Sequence, residues 1–581
     1  MILIRIVVFA LAFGVGYAFV SPALKPLRLI FGGLVVLVYV LLVPLNPLDA
    51  LAAFAIFLAA IFMFGDKAAA PTTFGSSRWA AENDVRALGL VNDRGFWLGS
   101  FLPETKYASP VTLRYGGDRH LLTCAPTRSG KGVSAIIPTL LTYQGSALVI
   151  DPKAENAIRT AEQRRKMGQV VHLLDPWGLT REHLTDIPVA RFNPLDWITA
   201  DSPDAVDNAM LLADAMVMKT TGAEEPFWDE EAKSLLAGLI LYVATDPKEA
   251  QARHLGRMRD ILALPNSELD VVLKHMGQSK TPLIASTGAR TLSKEEKIRS
   301  SVLTTAQSHT HWLENPAIRE NLAGSDVDFG RLKSGRETVY LILPADRLST
   351  YARWLRILVQ QAITVNARNI AEKPDKAVLF MLDEMAALGP LTAVQTAFGL
   401  MAGYGMQLWG IVQDLGQLKR LYGDGWETFI SNAGVFQYFG SRDVLTAEYV
   451  AKLCGKTTVK SFSIANIIGG QGSTTQTSSE AQRDLAYADE LMTLRDGAQI
   501  VFVETSYPIR GVRTPWYVEP TLKALGRRLA TDPAAGTASR ALPEFAPPTA
   551  SQTDQPEDTE HPLMKQARAF VTNRPKSGSG S

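Results

Sequence analysis

The feature that most restricts the fold of this chain is a short apolar run that leads through a Gly-Lys loop into a helix. Residues 121–125 read LLTCA, and the loop PTRSGKG follows at 126–132. A strand, such a loop and a helix in this order cradle phosphate groups, because loop N–H groups and the helix N-terminus point at one anion. Gly130 leaves room for a phosphate beside the backbone, and Lys131 neutralises the β and γ oxygens. The residues predicted to bind the nucleotide are Thr127, Arg128, Ser129, Gly130, Lys131, Gly132 and Val133.

Two positions of this loop depart from the usual phosphate-loop pattern, in which GxxxxGK is followed by Ser or Thr. Ala125 stands in place of the first glycine, and Gly132 stands where a hydroxyl normally binds Mg²⁺. The loop by itself therefore leaves open a chance Gly-Lys turn, and other residues have to decide.

A second apolar run, KAVLFMLDE, ends in the acids Asp383 and Glu384. At the tip of a buried strand, Asp383 can hold the hydration shell of Mg²⁺, and Glu384 can orient and deprotonate the attacking water. A third run, LWGIV, ends at Gln413, whose amide is placed to sense the γ-phosphate. A strand-end acid pair alone is common. Combined with the loop, these residues predict a site that binds ATP and Mg²⁺ and hydrolyses the ATP, with Asp383 as the metal-binding residue.

From residue 121 onward, short apolar runs alternate with longer helical patterns. Most of the runs lack period-two alternation, which indicates strands buried on both faces of a parallel sheet. Between residues 201 and 323 this rhythm stops, and apolar residues such as Leu235, Leu239 and Val243 recur at helical spacing. The sequence thus predicts an α/β core with an inserted all-helical segment. The predicted strands are LLTCA, ALVID, VVHLLD, TVYLILP, AVLFMLD, QLWGIV, GVFQYFG and QIVFVET.

Three runs near the N-terminus, at 6–20, 29–45 and 48–64, are almost uninterrupted in apolar residues. Each lies at or slightly below the short end of the roughly 17 to 25 residues that span a bilayer. A cleaved signal peptide would explain the first run, but it would place the nucleotide motif outside the cell, so we favour uncleaved spans. With Lys25 and Arg28 inside, residues 1–66 form three transmembrane helices, or alternatively two, and the bulk of the chain is cytoplasmic.

Charge and cysteine content exclude several other classes of protein. The chain has 59 Lys and Arg against 58 Asp and Glu, so any contact with nucleic acid has to be local. Its only cysteines, Cys124 and Cys454, are too few for a disulfide framework, and the pair His309 and His311 does not make a zinc site by itself. Residues 532–581 are rich in Pro, Ala, Thr and Ser and are predicted to be disordered.

Several blocks of the chain, in the right order, resemble one protein family. They fall within residues 74–517 and comprise GSSRWA at 75–80, APTRSGKGVS at 125–134 with IIPTLL behind it, VIDPKAEN at 149–156, FWDEEAKSLLAGLI from 227, FMLDEMAALG from 380 and QDLGQLKRLYG from 413. The set is similar to the TraG-type coupling ATPases of conjugative and effector-translocating type IV secretion systems. The resemblance implies that a glycine after the loop lysine is normal, so Gly132 does not argue against hydrolysis.

The resemblance implies a membrane-anchored ATPase of the bacterial inner membrane. A RecA-like nucleotide-binding domain would comprise residues 67–200 and 324–531, with an all-α domain inserted at 201–323. A ring of six copies would sit at the cytoplasmic mouth of a secretion channel and feed it relaxase-bound DNA or effector proteins. In such rings an arginine of the neighbouring subunit stabilises the transition state, and Arg442, after GVFQYFG, is the candidate. The predicted catalytic residues are thus Lys131, Asp383, Glu384, Gln413 and Arg442.

Two other functions stay open at this point. A DNA-translocating motor of the FtsK type shares the membrane anchor and the RecA-like ring. The helical insertion and the block FMLDEMAALG favour coupling, and a winged-helix pattern near the C-terminus, which FtsK would have, is not found in the sequence. A receptor that binds ATP only for assembly is the other alternative, but it would not need the water-activating carboxylate of Glu384.

Overall fold

The computed structural model describes residues 72–103, 109–218, 226–466 and 474–529. These residues form a large unit, built from Ser77–Gly455 and the chain from Asp484 onward, and a small unit around Lys456–Arg483. Within the described ranges, the helices are too short or too polar to cross a membrane. The predicted spans in 1–66 and the predicted disordered tail at 532–581 lie outside the described residues.

Most strands of the large unit belong to one mixed sheet of eleven strands. Its order is β2-β1-β13-β12-β9-β3-β8-β7-β4-β6-β5, and the strands from β9 to β5 run parallel. The strands β12, β13, β1 and β2 extend it with antiparallel pairs. In chain order the strands are β1 (Phe96–Phe101), β2 (Val111–Tyr115), β3 (His120–Cys124), β4 (Ala147–Asp151), β5 (Val170–Leu174), β6 (Glu337–Ile342), β7 (Val378–Leu382), β8 (Met406–Val412), β9 (Ala433–Tyr438), β10 (Lys456–Asn466), β11 (Thr474–Asp484), β12 (Ala498–Val503) and β13 (Ile509–Val512).

Each predicted apolar run forms a strand of this sheet. The strands β3, β4, β7 and β8 are buried at every residue, which explains why their sequences lack period-two alternation. β3 lies between β8 and β9, and all three run in the same direction, so their carboxyl ends meet at one edge. In open α/β sheets, ligands bind at this edge.

Helices cover both faces of the sheet and fill the long connection between β5 and β6. Those of the large unit are α1 (Glu82–Ala87), α2 (Ile137–Thr142), α3 (Glu155–Lys166), α4 (Ala205–Met216), α5 (Pro226–Thr245), α6 (Leu255–Leu262), α7 (Asn266–Met276), α8 (Pro282–Ser293), α9 (Glu296–Thr310), α10 (Pro316–Asn321), α11 (Arg331–Ser334), α12 (Leu348–Arg368), α13 (Thr392–Leu400), α14 (Leu415–Tyr422), α15 (Thr428–Ser431), α16 (Val444–Cys454), α17 (Ala488–Met492) and α18 (Pro520–Leu525).

The described part of residues 201–323 contains helices and no strand, as the apolar spacing predicts. Its longest helix, α5, is buried on more than the one apolar face that the spacing predicts, because α4, α8 and α9 all contact it. The helical segment also shares one apolar cluster with the sheet, which includes Leu212 of α4, Leu239 of α5 and Leu382 of β7. The inserted helices therefore share an apolar core with the strands that carry the predicted site, and α4 packs against α12.

The strands β1, β2 and β13 at one side of the sheet were not predicted from the sequence. β1 reads FWLGSF and is interrupted by Gly99, where the pairing with β2 shifts register. A Cβ at Gly99 would lie 2.5 Å from the carbonyl oxygen of Val512, so this close approach of β13 requires glycine. The pairing partner lies some four hundred residues away, which no local pattern reveals.

The small unit is a two-stranded sheet of β10 and β11, which was likewise not predicted. The chain at Phe74 joins it through backbone groups, since the amide of Phe74 donates to Thr458 Oγ1 at 2.9 Å and Gln482 Nε2 donates to the carbonyl of Phe74 at 3.0 Å. Both strands are rich in Thr and Ser. Their sequences therefore lack the regular alternation of apolar and polar residues that predicts a strand.

Candidate nucleotide-binding site

The phosphate loop follows β3 and is closed by its own hydrogen bonds. Arg128 and Gly130 have positive φ angles of 65° and 85°, which turn the chain sharply. Glycine adopts this conformation without strain, whereas it is uncommon for arginine. The amide of Ser134 donates to the carbonyl of Gly130 at 3.0 Å and its hydroxyl donates to the same oxygen at 2.7 Å. These bonds tie the loop to the first turn of the helix.

The helix after the loop begins at Gly132, and Gly132–Ile136 form a π-helical turn before α2. The N–H of Ile137 donates to the carbonyl of Gly132, five residues earlier, which is the π-helical pattern. A Cβ at Gly132 would have no atom within 4 Å, so this position faces open space.

Lys131 and the acid pair meet as the sequence predicts. β7 lies two strands from β3, with β8 between them, and its end carries Asp383 and Glu384. Lys131 Nζ lies 2.7 Å from Asp383 Oδ1 and 3.2 Å from Glu384 Oε2. Burial alone would lower the pKa of Lys131, but the two carboxylates outweigh it and raise the pKa. The ammonium is therefore charged and held at the place where phosphate charge would arrive.

Gln413 completes this group from the strand between the other two. Its Nε2 donates to Glu384 Oε1 at 2.7 Å, and its backbone N–H donates to Gln417 Oε1 at 3.0 Å. Both oxygens of Glu384 are thus fixed, one by Lys131 and one by Gln413. A carboxylate oriented in this way can accept a proton from a water without first reorganising.

Arg442 lies at the rim of a cavity of about 950 Å³ beside the loop. It is exposed, it follows β9, and it shares the cavity with Gln413 and with Thr127, Arg128 and Ser129 of the same chain. Arg442 therefore lies near the phosphate loop of its own subunit, so it is placed to act on a nucleotide bound by the same chain.

Val133, the last residue of the predicted loop set, has a structural contact. Its carbonyl accepts a hydrogen bond of 2.8 Å from the N–H of Trp516, and it packs beside the buried cluster of Trp97, Ile137 and Trp516. The chain after β13 is thereby held against the start of the nucleotide-binding helix.

Two acids of the same cavity are explained by helix capping. Asp414 accepts a hydrogen bond of 2.8 Å from the N–H of Gln417 at the start of α14, and Asp443 accepts one of 2.9 Å from Thr446 at the start of α16. Both satisfy backbone donors that a helix leaves unpaired. Their presence near the loop therefore needs no role in chemistry.

Two further charged residues at the site were missed from the sequence. Asp151 ends β4, the neighbour of β7, and accepts a hydrogen bond of 2.8 Å from the N–H of Ala157. Burial raises the pKa of Asp151 to about 7, and the charge of Asp383 adds to the shift. Arg513 follows β13, is buried, and its guanidinium donates to the carbonyl of Ser129 in the loop. The pattern ALVID, an apolar run that ends in aspartate as at Asp383, could have indicated Asp151.

The donor set of this site suits Mg²⁺ bound together with phosphates. The described residues contain no cluster of three or more His, Cys, Asp or Glu side chains that could enclose a metal. Mg²⁺ in nucleotide sites keeps several waters and uses one or two carboxylates plus phosphate oxygens. Asp383, at the end of β7, is the carboxylate that could hold such an ion.

The fold and the site define a P-loop nucleotide-binding protein with a largely parallel sheet. Residues 78–537 match the model of the family described as Type IV secretory system Conjugative DNA transfer. The chain belongs to this family, and the predicted resemblance to TraG-type coupling proteins is confirmed.

Known relatives agree with this assignment. The chain is 29% identical over 510 residues to the conjugal transfer protein TraG of Escherichia coli, with 78% of each chain covered. It is 27% identical over 460 residues to protein VirD4 of Agrobacterium fabrum, which covers 78% of this chain and 67% of that protein.

A solved structure shows the same fold. The plasmid coupling protein TrwB in complex with the ATP analogue ADPNP matches with a TM-score of 0.57 and 14% identity, over 77% of this chain and 96% of that chain. Its complex with ADP and Mg²⁺ matches with a TM-score of 0.56 and 14% identity, over 78% and 97%. The α/β core with a large parallel sheet, which fits a RecA-like domain, is thus confirmed.

Proposed function

We propose that this chain binds ATP with Mg²⁺ on its phosphate loop, hydrolyses the ATP and uses the energy to move DNA into a type IV secretion system. The convergence of Lys131, Glu384 and Gln413 at one edge of the sheet carries the proposal, with contacts of 3.2 Å and 2.7 Å to the Glu384 carboxylate. The family match supports the role in DNA transfer. The TrwB complexes with ADPNP and with ADP and Mg²⁺ support the choice of ligand.

Each residue of the group has a task set by its atoms. The ammonium of Lys131 neutralises the β and γ oxygens of the nucleotide, and loop N–H groups bind the same phosphates. Glu384 accepts the proton of the attacking water, and Gln413 holds the carboxylate in place for that transfer. Mg²⁺, when bound through Asp383 and its water shell, neutralises charge that develops on the phosphate oxygens.

The same proposal includes a membrane anchor, the division into domains and assembly into a ring. Residues 1–66 anchor the chain in the inner membrane with three or two spans, and the nucleotide-binding part, 67–200 and 324–531, is cytoplasmic around the inserted domain at 201–323. Copies of the chain form a hexameric ring in which Arg442 of one copy completes the site of its neighbour. The apolar runs near the N-terminus support the anchor.

The proposed cargo is relaxase-bound DNA, with effector proteins as the alternative. The family description favours DNA. A formal net charge of +1 means that DNA binds through local basic positions and not through a general field of the protein.

The test uses the purified full-length chain and its variant Glu384→Gln, which keeps the shape and the hydrogen bond to Gln413. We expect Mg²⁺-dependent phosphate release by the wild type and a loss of about 10² to 10⁴ in turnover for the variant. A receptor that binds ATP without turnover would show no difference between the two. In cells, plasmid transfer should fail with the variant. Normal transfer with Glu384→Gln would refute the proposal that hydrolysis drives transfer.

A further inference from the structure

The segment that follows the catalytic carboxylate, residues 384–390, has a backbone that its surroundings must hold in place. We name it the acid loop. Glu384 has φ 64° and ψ 47°, and Gly389 has φ 63°. A non-glycine residue in the left-handed region is strained and persists only where neighbouring groups determine its conformation. The position of the Glu384 carboxylate therefore depends on contacts to the rest of the loop.

One buried arginine makes two of these contacts. Arg356 lies in α12 and is 3% exposed. Its Nη1 donates to the carbonyls of Leu388 at 2.5 Å and Pro390 at 3.1 Å, both in the acid loop. Its Nε donates at 2.8 Å to the carbonyl of Ala215, near the end of α4 in the helical insertion. A single guanidinium thus joins the acid loop to the inserted helices.

Burial lowers the pKa of Arg356 to about 10, so the side chain stays charged at neutral pH. Hydrogen bonds from a charged donor are stronger than neutral ones, and their loss in a buried place leaves carbonyls unsatisfied. The planar fork of arginine can serve three carbonyls in fixed directions, whereas the three N–H groups of a lysine ammonium all diverge from one nitrogen and cannot reach the same three places.

The acid loop and the helical insertion also touch directly. A Cβ at Gly389 would lie 3.0 Å from Met218 Cε and 3.6 Å from Arg356 Nη1, so both side chains pack close to this glycine. On the other side, the hydroxyl of Tyr422 donates to the carbonyl of Gly389 at 3.4 Å. Because these parts are in contact, a shift of the end of α4 has to move the acid loop or break the bonds of Arg356.

Arg353, one turn earlier on α12, provides a natural comparison. Its Nε donates at 2.9 Å to the carbonyl of Met216, the residue after Ala215, and its Nη2 donates at 3.2 Å to Nδ1 of His309. Arg353 therefore binds the same end of α4 through the same kind of guanidinium-to-carbonyl hydrogen bond as Arg356. Its other hydrogen bond goes to α9 of the insertion and not to the acid loop.

We propose that Arg356 is a positioning residue for Glu384 and that it couples the geometry of the acid loop to the position of the inserted helices. The inference rests on the proposed ATP hydrolysis and adds a route by which that site is regulated. A partner that displaces α4 changes the rate of hydrolysis through this guanidinium. By linkage, nucleotide bound at the loop changes the freedom of α4.

The first test compares Arg356→Lys with the matched control Arg353→Lys in the full-length chain. Both variants keep the charge on α12 and alter a bond to the end of α4. We expect Arg356→Lys to lose between about tenfold and a hundredfold in kcat, because small misplacements of reacting groups cost this much. ATP affinity should change by less than about threefold, since Lys131 is untouched. Arg353→Lys should keep kcat within about twofold. Equal kcat for the two variants would overturn the proposal.

The second test needs no turnover. Hydrogen exchange is followed by mass spectrometry with and without ADPNP in the wild type and in both variants. In the wild type and in Arg353→Lys, ADPNP should slow exchange both in the acid loop and at residues 211–218. In Arg356→Lys, only the acid loop should respond. If the nucleotide leaves 211–218 unchanged in the wild type, the coupling is wrong, even where Arg356→Lys does not fold.

The two proposals fail in different ways. A wild type whose phosphate release is unaffected by Glu384→Gln would refute the proposed hydrolysis, and the exchange experiment would still decide on the coupling. A wild type that hydrolyses ATP, loses activity with Glu384→Gln and yet tolerates Arg356→Lys would refute the positioning role alone.

Discussion

At the scale of single residues, Lys131 and Glu384 have separable tasks, although Lys131 Nζ lies only 3.2 Å from Glu384 Oε2. Lys131→Ala should weaken ATP binding by about tenfold to a hundredfold, because it removes a charge-assisted bond worth about 1.5 to 3 kcal/mol and leaves two carboxylates facing the phosphates. Glu384→Gln should bind ATP normally and lose turnover, since an amide cannot accept the proton. Fluorescent nucleotide titration separates the two, and an equal loss of binding in both would contradict these roles.

Gly132 offers a second test at this scale. A hydroxyl normally follows the loop lysine and binds Mg²⁺, and a Cβ at Gly132 would meet no atom within 4 Å. Gly132→Thr should therefore fold and should lower the Mg²⁺ concentration needed for half-maximal phosphate release by about two- to fivefold, the effect of one added oxygen ligand. Gly132→Ala is the control, since it adds the Cβ without the hydroxyl. The same shift in both variants would show that the hydroxyl is not a ligand.

Three of the site residues at strand ends are evident from the sequence, whereas Asp151 and Arg513, which also lie at strand ends, and Arg356, which acts from a helix, are not. Lys131, Glu384 and Gln413 each follow an apolar run, and a parallel sheet brings such ends to one edge. Arg356 lies within a helix among apolar residues, where an arginine usually reaches solvent. Its burial follows from the packing of α4 and of the acid loop against α12, which brings together residues distant in sequence.

At the scale of elements, the strands of the sheet differ in how readily the amino-acid sequence predicts them. Those from β9 to β5 are continuous apolar runs and were all predicted. β1, β2 and β13 were not, because Gly99, Arg114 and Arg510 interrupt their apolar runs. Their burial arises from antiparallel pairing across the whole chain length, so composition alone cannot mark them.

The inserted helices make a pH-sensitive contact with α12. Arg353 Nη2 donates to His309 Nδ1 at 3.2 Å, so His309 is neutral with its proton on Nε2, which lies 3.0 Å from Asp229 Oδ1. Burial lowers the pKa of His309 below its ordinary value of 6.5, although Asp229 opposes the shift. The unfolded chain then binds more protons than the folded chain near pH 6, so this contribution to stability is complete above pH 6.5 and declines as pH falls.

His309→Asn tests this contact, because it removes the titrating group and keeps an acceptor for Arg353. The melting temperature of the wild type should fall more than that of the variant when the pH drops from about 7.5 to about 5.5. Comparing differences between the two proteins cancels the titration of other groups. Parallel pH profiles would show that His309 does not titrate in this range.

At the scale of the whole molecule, the N-terminal residues and the nucleotide-binding part should be separable. The large unit has its own buried core and begins at Ser77. A chain without residues 1–66 should therefore stay folded and soluble and bind ATP with unchanged affinity. It should assemble less readily, because spans that associate raise the local concentration of the parts attached to them. Sedimentation and nucleotide titration measure both effects, and an insoluble, unfolded product would mean that the boundary is wrong.

Assembly also decides how Arg442 acts. If it completes the site of a neighbour, activity per subunit should rise with protein concentration as the ring forms, since a finger of this kind is worth about 10³ to 10⁵ in rate. Mixing Arg442→Ala with Glu384→Gln then restores activity, because some interfaces combine an intact Glu384 with an intact Arg442. The cavity that Arg442 shares with its own phosphate loop gives the competing outcome. If Arg442 acts within its own subunit, every site in the mixture lacks either the arginine or the carboxylate, and mixing restores nothing.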